Sequence, residues 1–405
     1  MAGKMENVTK TVIDCIKYEI YGQNEKIVLP EISARFLIDV YKLSKAHDVA
    51  HLVGDALNKS GVFENSPDDI GENERAAIAK IKEKFDEQIF SAVYRYENIN
   101  YELERLKETL EETEIPFIPL KGSVIRKYYP EPWMRTSCDI DILVRETDLK
   151  RAKKAISEKL GYAFEGRHYH DISMFSQSGV HLELHFHLKE TIAGIDTVLM
   201  RAWEFAVPKA GKKYEHEFSN EFLAFQLAAH NSYHFQRGGC GIRPFIDFQV
   251  MENSGEFAYG EEKLNDLLRG GGIYKFYLQT KALAAVWFCG AEHTELTKKI
   301  ETYVLDGGVY GSTKNSLAMQ QTKKKGKFGY AMSRIFLPYD TLKNYYPALQ
   351  NHKWLLPFYE VKRWFEIAFS PRLKKGINEL SESNKVTQEE REKARKLLDE
   401  LELHD

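Results

Sequence analysis

The spacing of hydrophobic residues changes twice along the chain. In residues 1–113, apolar side chains recur at intervals of three and four, the period of a helix that packs on one side. Residues 114–206 instead carry short apolar runs and alternation, which predict strands separated by helices. The helical spacing returns over residues 207–370, and the highly charged residues 371–405 indicate a solvated helix or tail. This pattern predicts the α+β class, with a small mixed-sheet core flanked by N-terminal and C-terminal helical regions.

Three shorter segments carry local signals. One helix over residues 32–57 would place His47 and His51 one turn apart, where they could share a ligand, although a partly buried helix face explains them more simply. Asparagines indicate a helix break near residues 98–100. Residues 307–327 are polar and rich in Gly and Lys, which predicts a loop.

The most informative stretch joins two predicted strands of the core. The apolar run IPFIPL ends at the turn Lys121-Gly122-Ser123, which predicts a strand that leads into a helix, whose N-terminus can hold an anion. The following run DIDILV alternates, so that Asp139 and Asp141 share one face of a second strand. Their backbones would lie about 6–7 Å apart, and their carboxylates could converge on a hard cation such as Mg²⁺.

A later predicted strand, residues 180–188, carries four polar residues on one face. The alternation in VHLELHFHL groups His181, Glu183, His185 and His187 opposite an apolar face. Imidazole nitrogens are good Zn²⁺ ligands, so a zinc hydrolase with Glu183 as its base is an open alternative. The zinc hypothesis does not explain the Asp-x-Asp strand or the Lys-Gly-Ser turn.

The strand, the Lys-Gly-Ser turn and the Asp-x-Asp strand together resemble the nucleotidyltransferases of the DNA polymerase β superfamily. The sequence pattern LKG…YYPEP…R…DIDILV, together with the later pattern FLP…YP…LLP, is similar to the sequences of an uncharacterised nucleotidyltransferase family of bacterial genomes. The resemblance implies that the backbone of Gly122 and Ser123 holds a nucleoside triphosphate. It also implies that Asp139 and Asp141 bind Mg²⁺ or Mn²⁺. Glu183 is then the third carboxylate, which either completes the metal site or takes a proton from the acceptor hydroxyl or amine.

Other polar residues suit the same site. Lys121 lies in the turn, Arg126 follows one helical turn later, and Arg135 precedes the Asp-x-Asp strand. Each could neutralise phosphate charge. The family pattern usually continues from the third acid with a histidine, as at His185, for which we expect a hydrogen bond to a carboxylate or to the acceptor.

A further group of polar residues lies on two predicted helices. His230 and His234 are four residues apart, and Arg243 and Asp247 are likewise four apart after a Gly-rich break. Members of the family look similar here. The four residues could form one wall of a cleft and contact the base, the ribose or the acceptor. Alternatively, Arg243 and Asp247 could be a buried structural pair.

The composition limits which acceptors and which cellular compartment we expect for this chemistry. Among 405 residues, Lys+Arg and Asp+Glu nearly balance to a net charge of −3, which disfavours a polynucleotide acceptor but leaves room for a local basic patch. The four cysteines form no CxxC pair, and we expect free thiols in a reducing cytosol. The N-terminus lacks the apolar core of a signal peptide, and no apolar run reaches the ~18 residues of a membrane span.

These observations predict a cytoplasmic, Mg²⁺-dependent enzyme that moves a nucleoside monophosphate from an NTP to a hydroxyl or amine and releases pyrophosphate. ATP is the default donor, and a small molecule or a protein is the expected acceptor. A catalytically degenerate protein that only binds nucleotide is a second alternative, although all three candidate acids are present.

Overall fold

The structure is a computed structural model, and it describes residues 2–22, 26–64, 71–309, 311–324, 326–370 and 372–403. The described part of the N-terminal region is helical, with α1 (Ala2–Tyr21), α2 (Ala34–Ala46), α3 (Ala50–Lys59) and α4 (Glu72–Glu112). The first three helices pack around a shared apolar interior, and the long helix α4 continues from them to the sheet.

A five-stranded mixed sheet follows. Its strands, with the two helices between them, are β1 (Phe117–Pro119), α5 (Gly122–Ile125), β2 (Asp139–Val144), α6 (Leu149–Leu160), β3 (Ala163–Arg167), β4 (Asp171–Phe175) and β5 (His181–His185). The strand order is β1-β2-β5-β4-β3. Strands β2 and β5 are parallel, whereas the other neighbours are antiparallel. Residues on the same face of β2 and β5 therefore lie level with one another.

The two faces of the sheet have opposite character. The apolar face packs on α4 and α6 through four residues of the central strands, Ile140, Ile142, Leu182 and Leu184. The other face carries Asp139, Asp141 and Glu183. This division follows directly from the period-two alternation of the two strands, because one buried face fixes where every other side chain points.

The described residues that follow the sheet form helices and one short two-stranded ribbon. The elements are α7 (Ala193–Leu199), β6 (Ala206–Pro208), β7 (His216–Phe218), α8 (Asn220–Phe235), α9 (Arg243–Asn253), α10 (Glu261–Gly270), α11 (Tyr274–Cys289), α12 (Glu295–Gly307), α13 (Thr313–Lys323), α14 (Lys327–Ile335), α15 (Tyr339–Tyr345), α16 (Leu356–Ala368), α17 (Arg372–Lys385) and α18 (Gln388–Glu400). Ser219 caps the N-terminus of helix α8, and its hydroxyl accepts a hydrogen bond from the backbone N–H of Phe222. It is apolar on nearly all sides and is buried along most of its length.

The predicted α+β class is confirmed, while the division into four regions stays a prediction. The predicted break near residues 98–100 is wrong, because Ile99 is buried in the cluster beneath the sheet and α4 runs on unbroken. The predicted loop over residues 307–327 is also wrong, because α13 forms there. Its buried Leu317 and Met319 join the main core. In both segments, packing outweighs weak local helix propensity.

The single helix expected over residues 32–57 is two helices, α2 and α3. Asp48, between them, has φ 53°, in the left-handed region that ends a helix. His47 and His51 therefore do not share a ligand: His47 Nε2 lies 3.3 Å from the carbonyl oxygen of Leu305, and His51 Nε2 lies 2.8 Å from that of Met134. Both histidines are buried.

Candidate active site

A cleft of about 430 Å³ lies between the polar face of the sheet and helices α8 and α9. Most of the polar residues singled out in the sequence line it, namely Lys121, Gly122, Arg135, Asp139, Asp141, Glu183, His185, His230, His234, Arg243 and Asp247. Ser123 and Arg126 are not lining residues. The structure thus brings together polar groups that come from three separate parts of the chain.

Three carboxylates converge where β2 and β5 run side by side. The register pairs Asp139 with His181 and Asp141 with Glu183. One ligand atom from each of Asp139, His181 and Glu183 lies within 4.8 Å of the other two, and the same holds for Asp141, Glu183 and His185. Glu183 belongs to both sets and so joins them into one acidic cluster.

Two cationic groups surround the deepest carboxylate. Lys121 Nζ donates to Asp141 Oδ1 at 2.9 Å, and His185 Nε2 donates to the same oxygen at 2.8 Å. Burial alone would raise the pKa of Asp141, but the charge of Lys121 and the hydrogen bond from His185 lower it well below its usual range. Burial alone would lower the pKa of His185, but its hydrogen bonds to Asp141 and Glu183 raise that pKa to about 9. Asp141 is therefore a fixed anion.

The neighbouring carboxylates differ in their electrostatics. Burial, followed by the charge of Asp141, raises the pKa of Asp139. The hydrogen bond from His185 lowers the pKa of Glu183 against the effect of burial. The charge on Asp139 is thus the least compensated of the three, and a bound divalent cation would relieve that repulsion.

The Lys-Gly-Ser turn is held tightly beside this cluster. Lys121 has φ 47° and ψ −122°, a strained conformation for a residue with a side chain. A Cβ at Gly122 would lie 3.1 Å from the Cβ of Ser137, so the turn approaches the loop before β2 closely. Arg126 Nε donates to the carbonyl oxygen of Gly122, and its Nη2 donates to Ser137 Oγ. Arg126 thus supports the turn from behind, and the Ser123 hydroxyl is buried next to it.

The loop before β2 is tied to α9 by a buried ion pair. Arg135 donates from Nε to Asp247 Oδ1 at 2.7 Å and from Nη2 to Oδ2 at 2.9 Å. The Tyr129 hydroxyl donates to the same carboxylate at 2.7 Å. Arg243 instead donates to Asp48 Oδ2 at 2.9 Å. The structural pairing of Arg243 with Asp247 that the sequence left open does not occur, because each residue has another partner.

The other two histidines of the predicted strand, His181 and His187, have separate partners and do not converge on one point. His181 Nε2 lies 2.7 Å from Ser173 Oγ, and His187 Nε2 lies 3.3 Å from Glu146 Oε2. Strand β5 ends at His185, so His187 lies beyond its regular alternation. Each converging set of ligand atoms holds one imidazole and two carboxylates, a donor set richer in oxygen than typical zinc sites.

Sequence reasoning missed a second polar cluster across the cleft. Glu190 Oε1 lies 2.9 Å from His230 Nδ1, and the ring of His234 lies edge-on to that of His230 at 4.5 Å. Glu190 lies past the end of β5, outside the alternation, and its one sequence signal was that it is the next acid after Glu183. Gln226 and Asn231 also line the cleft. They could have been noticed as amides within an otherwise apolar helix, close in spacing to His230.

An α+β core with three carboxylates on adjacent strands beside a Lys-Gly-Ser turn is the arrangement that the family resemblance implies. The family described as "Uncharacterised nucleotidyltransferase" matches residues 38–289, which is more than half of the chain. This match includes the whole sheet together with α8 and α9. The chain therefore belongs to this nucleotidyltransferase family, as the resemblance indicated. No curated protein and no solved structure matches it.

Among the described helices, none combines the length and the apolar content that crossing a bilayer requires.

Proposed function

We propose that this protein transfers a nucleoside monophosphate from an NTP to a hydroxyl or amine acceptor, with Mg²⁺ or Mn²⁺ as cofactor and pyrophosphate as the leaving group. The observation that carries the proposal is the convergence of Asp139, Asp141 and Glu183 from two parallel strands beside the Lys121–Gly122 turn. ATP is the default donor, and the acceptor is a small molecule or a protein.

The residues present fit a divalent cation. Asp139, Asp141 and Glu183 offer carboxylate oxygens close together, and the raised pKa of Asp139 marks an anion that lacks compensation. Hard cations such as Mg²⁺ and Mn²⁺ prefer such oxygen ligands. When bound, the cation supplies positive charge that the carboxylates share with the triphosphate. We assign Glu183 to this cation set because its register partner is Asp141.

The residues of the turn hold the donor. Gly122, which follows the strained Lys121, lines the cleft. A side chain at this position would crowd Ser137, because its Cβ would lie 3.1 Å from the Cβ of Ser137. The N–H of Ser123 donates to the carbonyl oxygen of Leu120 at 3.1 Å, so we assign the backbone contact with a phosphate oxygen to the N–H of Gly122. Lys121 adds a positive charge, which favours the additional negative charge of a triphosphate.

Charge stabilisation and orientation supply the chemistry of the proposed reaction. The acceptor attacks the α-phosphorus in line with the leaving pyrophosphate, and Lys121 remains close to the charge that develops on the phosphoryl oxygens.

An NTP donor and the four free cysteines fit the cytoplasm, which we propose as the location.

The test is a donor screen with the purified full chain. Each NTP is added with Mg²⁺ or Mn²⁺, and thermal unfolding and pyrophosphate release are followed. The Asp139→Asn/Asp141→Asn double variant is the control. We expect one NTP to raise the unfolding temperature only when metal is present, to release pyrophosphate, and to do neither in the variant. If no NTP binds, or if the variant matches the wild type, the proposed function is wrong.

A further inference from the structure

Glu190 and His230 form a hydrogen-bonded pair on the helical side of the cleft. His230 Nδ1 lies 2.9 Å from Glu190 Oε1, and the His230 side chain keeps 34% of its surface exposed. Within the described ranges, His230 Nε2 makes no hydrogen bond. A carboxylate that accepts from Nδ1–H fixes the imidazole tautomer, so that the lone pair of Nε2 is available to the cleft.

We propose that His230, oriented by Glu190, takes the proton from the acceptor group as that group attacks the α-phosphate. This inference rests on the proposed function and adds a catalytic residue to it. The acceptor O–H or N–H bond breaks and its proton moves to His230 Nε2. The acceptor oxygen or nitrogen bonds to the α-phosphorus, and the bond from that phosphorus to the bridging oxygen breaks, so that pyrophosphate leaves.

The geometry leaves few other groups for this task. Glu183 is in the acidic cluster, level with Asp141, where its oxygens face the other carboxylates. His185 is buried, and its Nε2 already donates to Asp141. The ring of His170 stacks on that of His185, and its Nε2 lies 3.2 Å from Asp171. His170 and His185 also pair with carboxylates, but the Nδ1 atom that each leaves without a partner is buried. The His230 side chain, by contrast, keeps 34% of its surface exposed and lines the cleft.

Glu190 is held firmly in its position. Its backbone N–H donates to Asp196 Oδ1 at 2.7 Å. The next residue, Thr191, has φ 61°, a left-handed conformation that is rare for a β-branched residue. Such strain persists where the surrounding contacts determine the local backbone. Although burial opposes ionisation of Glu190, His230 and Lys121 lower its pKa, so the carboxylate stays charged.

Unpartnered amides beside His230 mark where an acceptor would bind. Asn231 and Gln226 are nine-tenths buried or more and line the cleft. Both amide atoms of Asn231, and Oε1 of Gln226, have no hydrogen-bond partner in the described part of the chain. Buried amides normally find partners, and a polar acceptor that binds in the cleft could supply them. Gln226, His230 and Asn231 all line the same cleft, so a molecule that binds the two amides there would lie in the space that His230 also borders.

The experiment measures pyrophosphate release from the donor NTP, with water as the nucleophile, in the full-length wild type and in His230→Gln. Glutamine can keep a hydrogen bond to Glu190 but cannot accept the proton. We expect the maximal rate to fall by about a hundredfold or more while the KM for the NTP stays the same. The matched control is His293→Gln, which alters another histidine beside a glutamate, with His293 Nε2 3.6 Å from Glu301. It should keep the wild-type rate.

A chemical rescue separates catalysis from structure. In His230→Ala, free imidazole should fill the space and restore part of the rate, which a purely structural residue would not permit. A His230→Gln rate within twofold of wild type, or a His230→Ala variant that imidazole does not rescue, would overturn the inference. Failure of the proposed function looks different: no NTP would then stabilise the wild type or release pyrophosphate, whatever residue is at position 230.

Discussion

Asp141 on β2 and Glu183 on β5 are register partners in a parallel strand pair. Both side chains extend from regular strands whose opposite face is buried, so their spacing is fixed by the sheet rather than by loops. A site placed on rigid elements needs little rearrangement before it binds a cation and a substrate. The strained turn at Lys121 then supplies a compensating positive charge, 2.9 Å from Asp141.

Asp139→Asn and Asp141→Asn should have the same effect on activity but opposite effects on stability. Each should lower pyrophosphate release by orders of magnitude. Asp141→Asn leaves the charges of Lys121 and His185 without their partner, which should destabilise the fold by about 3–5 kcal/mol. Asp139→Asn removes a repelled charge and should slightly stabilise the metal-free protein. Urea unfolding without metal measures both, and equal effects of the two variants would refute this account of the electrostatics.

Acidification should weaken Mn²⁺ binding at a higher pH than for an ordinary aspartate site. Burial and the charge of Asp141 raise the pKa of Asp139, so a proton competes with the cation earlier as the pH falls. Isothermal titration calorimetry with Mn²⁺ at neutral and mildly acidic pH measures this change. Asp139→Asn should bind weakly at both pH values. An affinity of the wild type that does not change over this range would contradict the assignment of Asp139 as a ligand.

Arg135 and Asp247 should be strongly coupled in stability. Either Arg135→Met or Asp247→Asn leaves a buried charge unpaired and should cost about 3–5 kcal/mol of unfolding free energy. The double variant should lose much less than the sum of the two. A double-mutant cycle from urea unfolding gives the coupling energy. Additive losses would show that the pair does not act as a unit in holding the loop before β2 on α9.

His47 should make the fold less stable in acid. Burial lowers its pKa to about 4, against an ordinary value of 6.5, so the unfolded chain binds the proton more readily than the folded one. The stability that depends on neutral His47 is fully present above about pH 6.5. It is lost as the pH falls toward 4, and the total loss is on the order of 3 kcal/mol. His47→Gln should flatten this part of the pH profile in urea unfolding. An unchanged profile would contradict the prediction.

Asn231→Leu should stabilise the ligand-free protein and impair transfer. Replacing a buried amide that lacks partners with an apolar side chain of similar size removes a desolvation penalty of about 1–3 kcal/mol. Thermal unfolding measures the gain, and Ala229→Ser, which adds a polar group to the same buried helix, should lower stability. A loss of stability in Asn231→Leu would mean that the amide has a partner within the fold.

Much of the site follows from local pattern, because strand alternation alone decides which side chains share a face. That rule predicted the grouping of Asp139 with Asp141 and the face that carries Glu183. The strand order, which makes β2 and β5 neighbours, is a long-range property that alternation does not encode. Glu190 was missed for a similar reason. It lies on an irregular segment, and only the position of α8 brings it to His230.

The side-chain pairings were the least predictable part. Arg243 and Asp247 are four residues apart on one helix, a spacing that favours a direct contact. The fold instead presents Arg135 to Asp247 and Asp48 to Arg243, and these contacts span more than 100 positions in sequence. A charged residue pairs with whichever partner the packing of helices brings within reach, and sequence spacing ranks only the local candidates.

The most direct test of the account follows a label placed on either the α- or the γ-phosphate of the donor NTP. The wild type with Mg²⁺ or Mn²⁺ should release the γ label as pyrophosphate and leave the α label in a nucleoside monophosphate or its acceptor adduct. Release of the γ label as inorganic phosphate, with the α label in a diphosphate, would show that the cleft cleaves a different bond and would contradict nucleotidyl transfer.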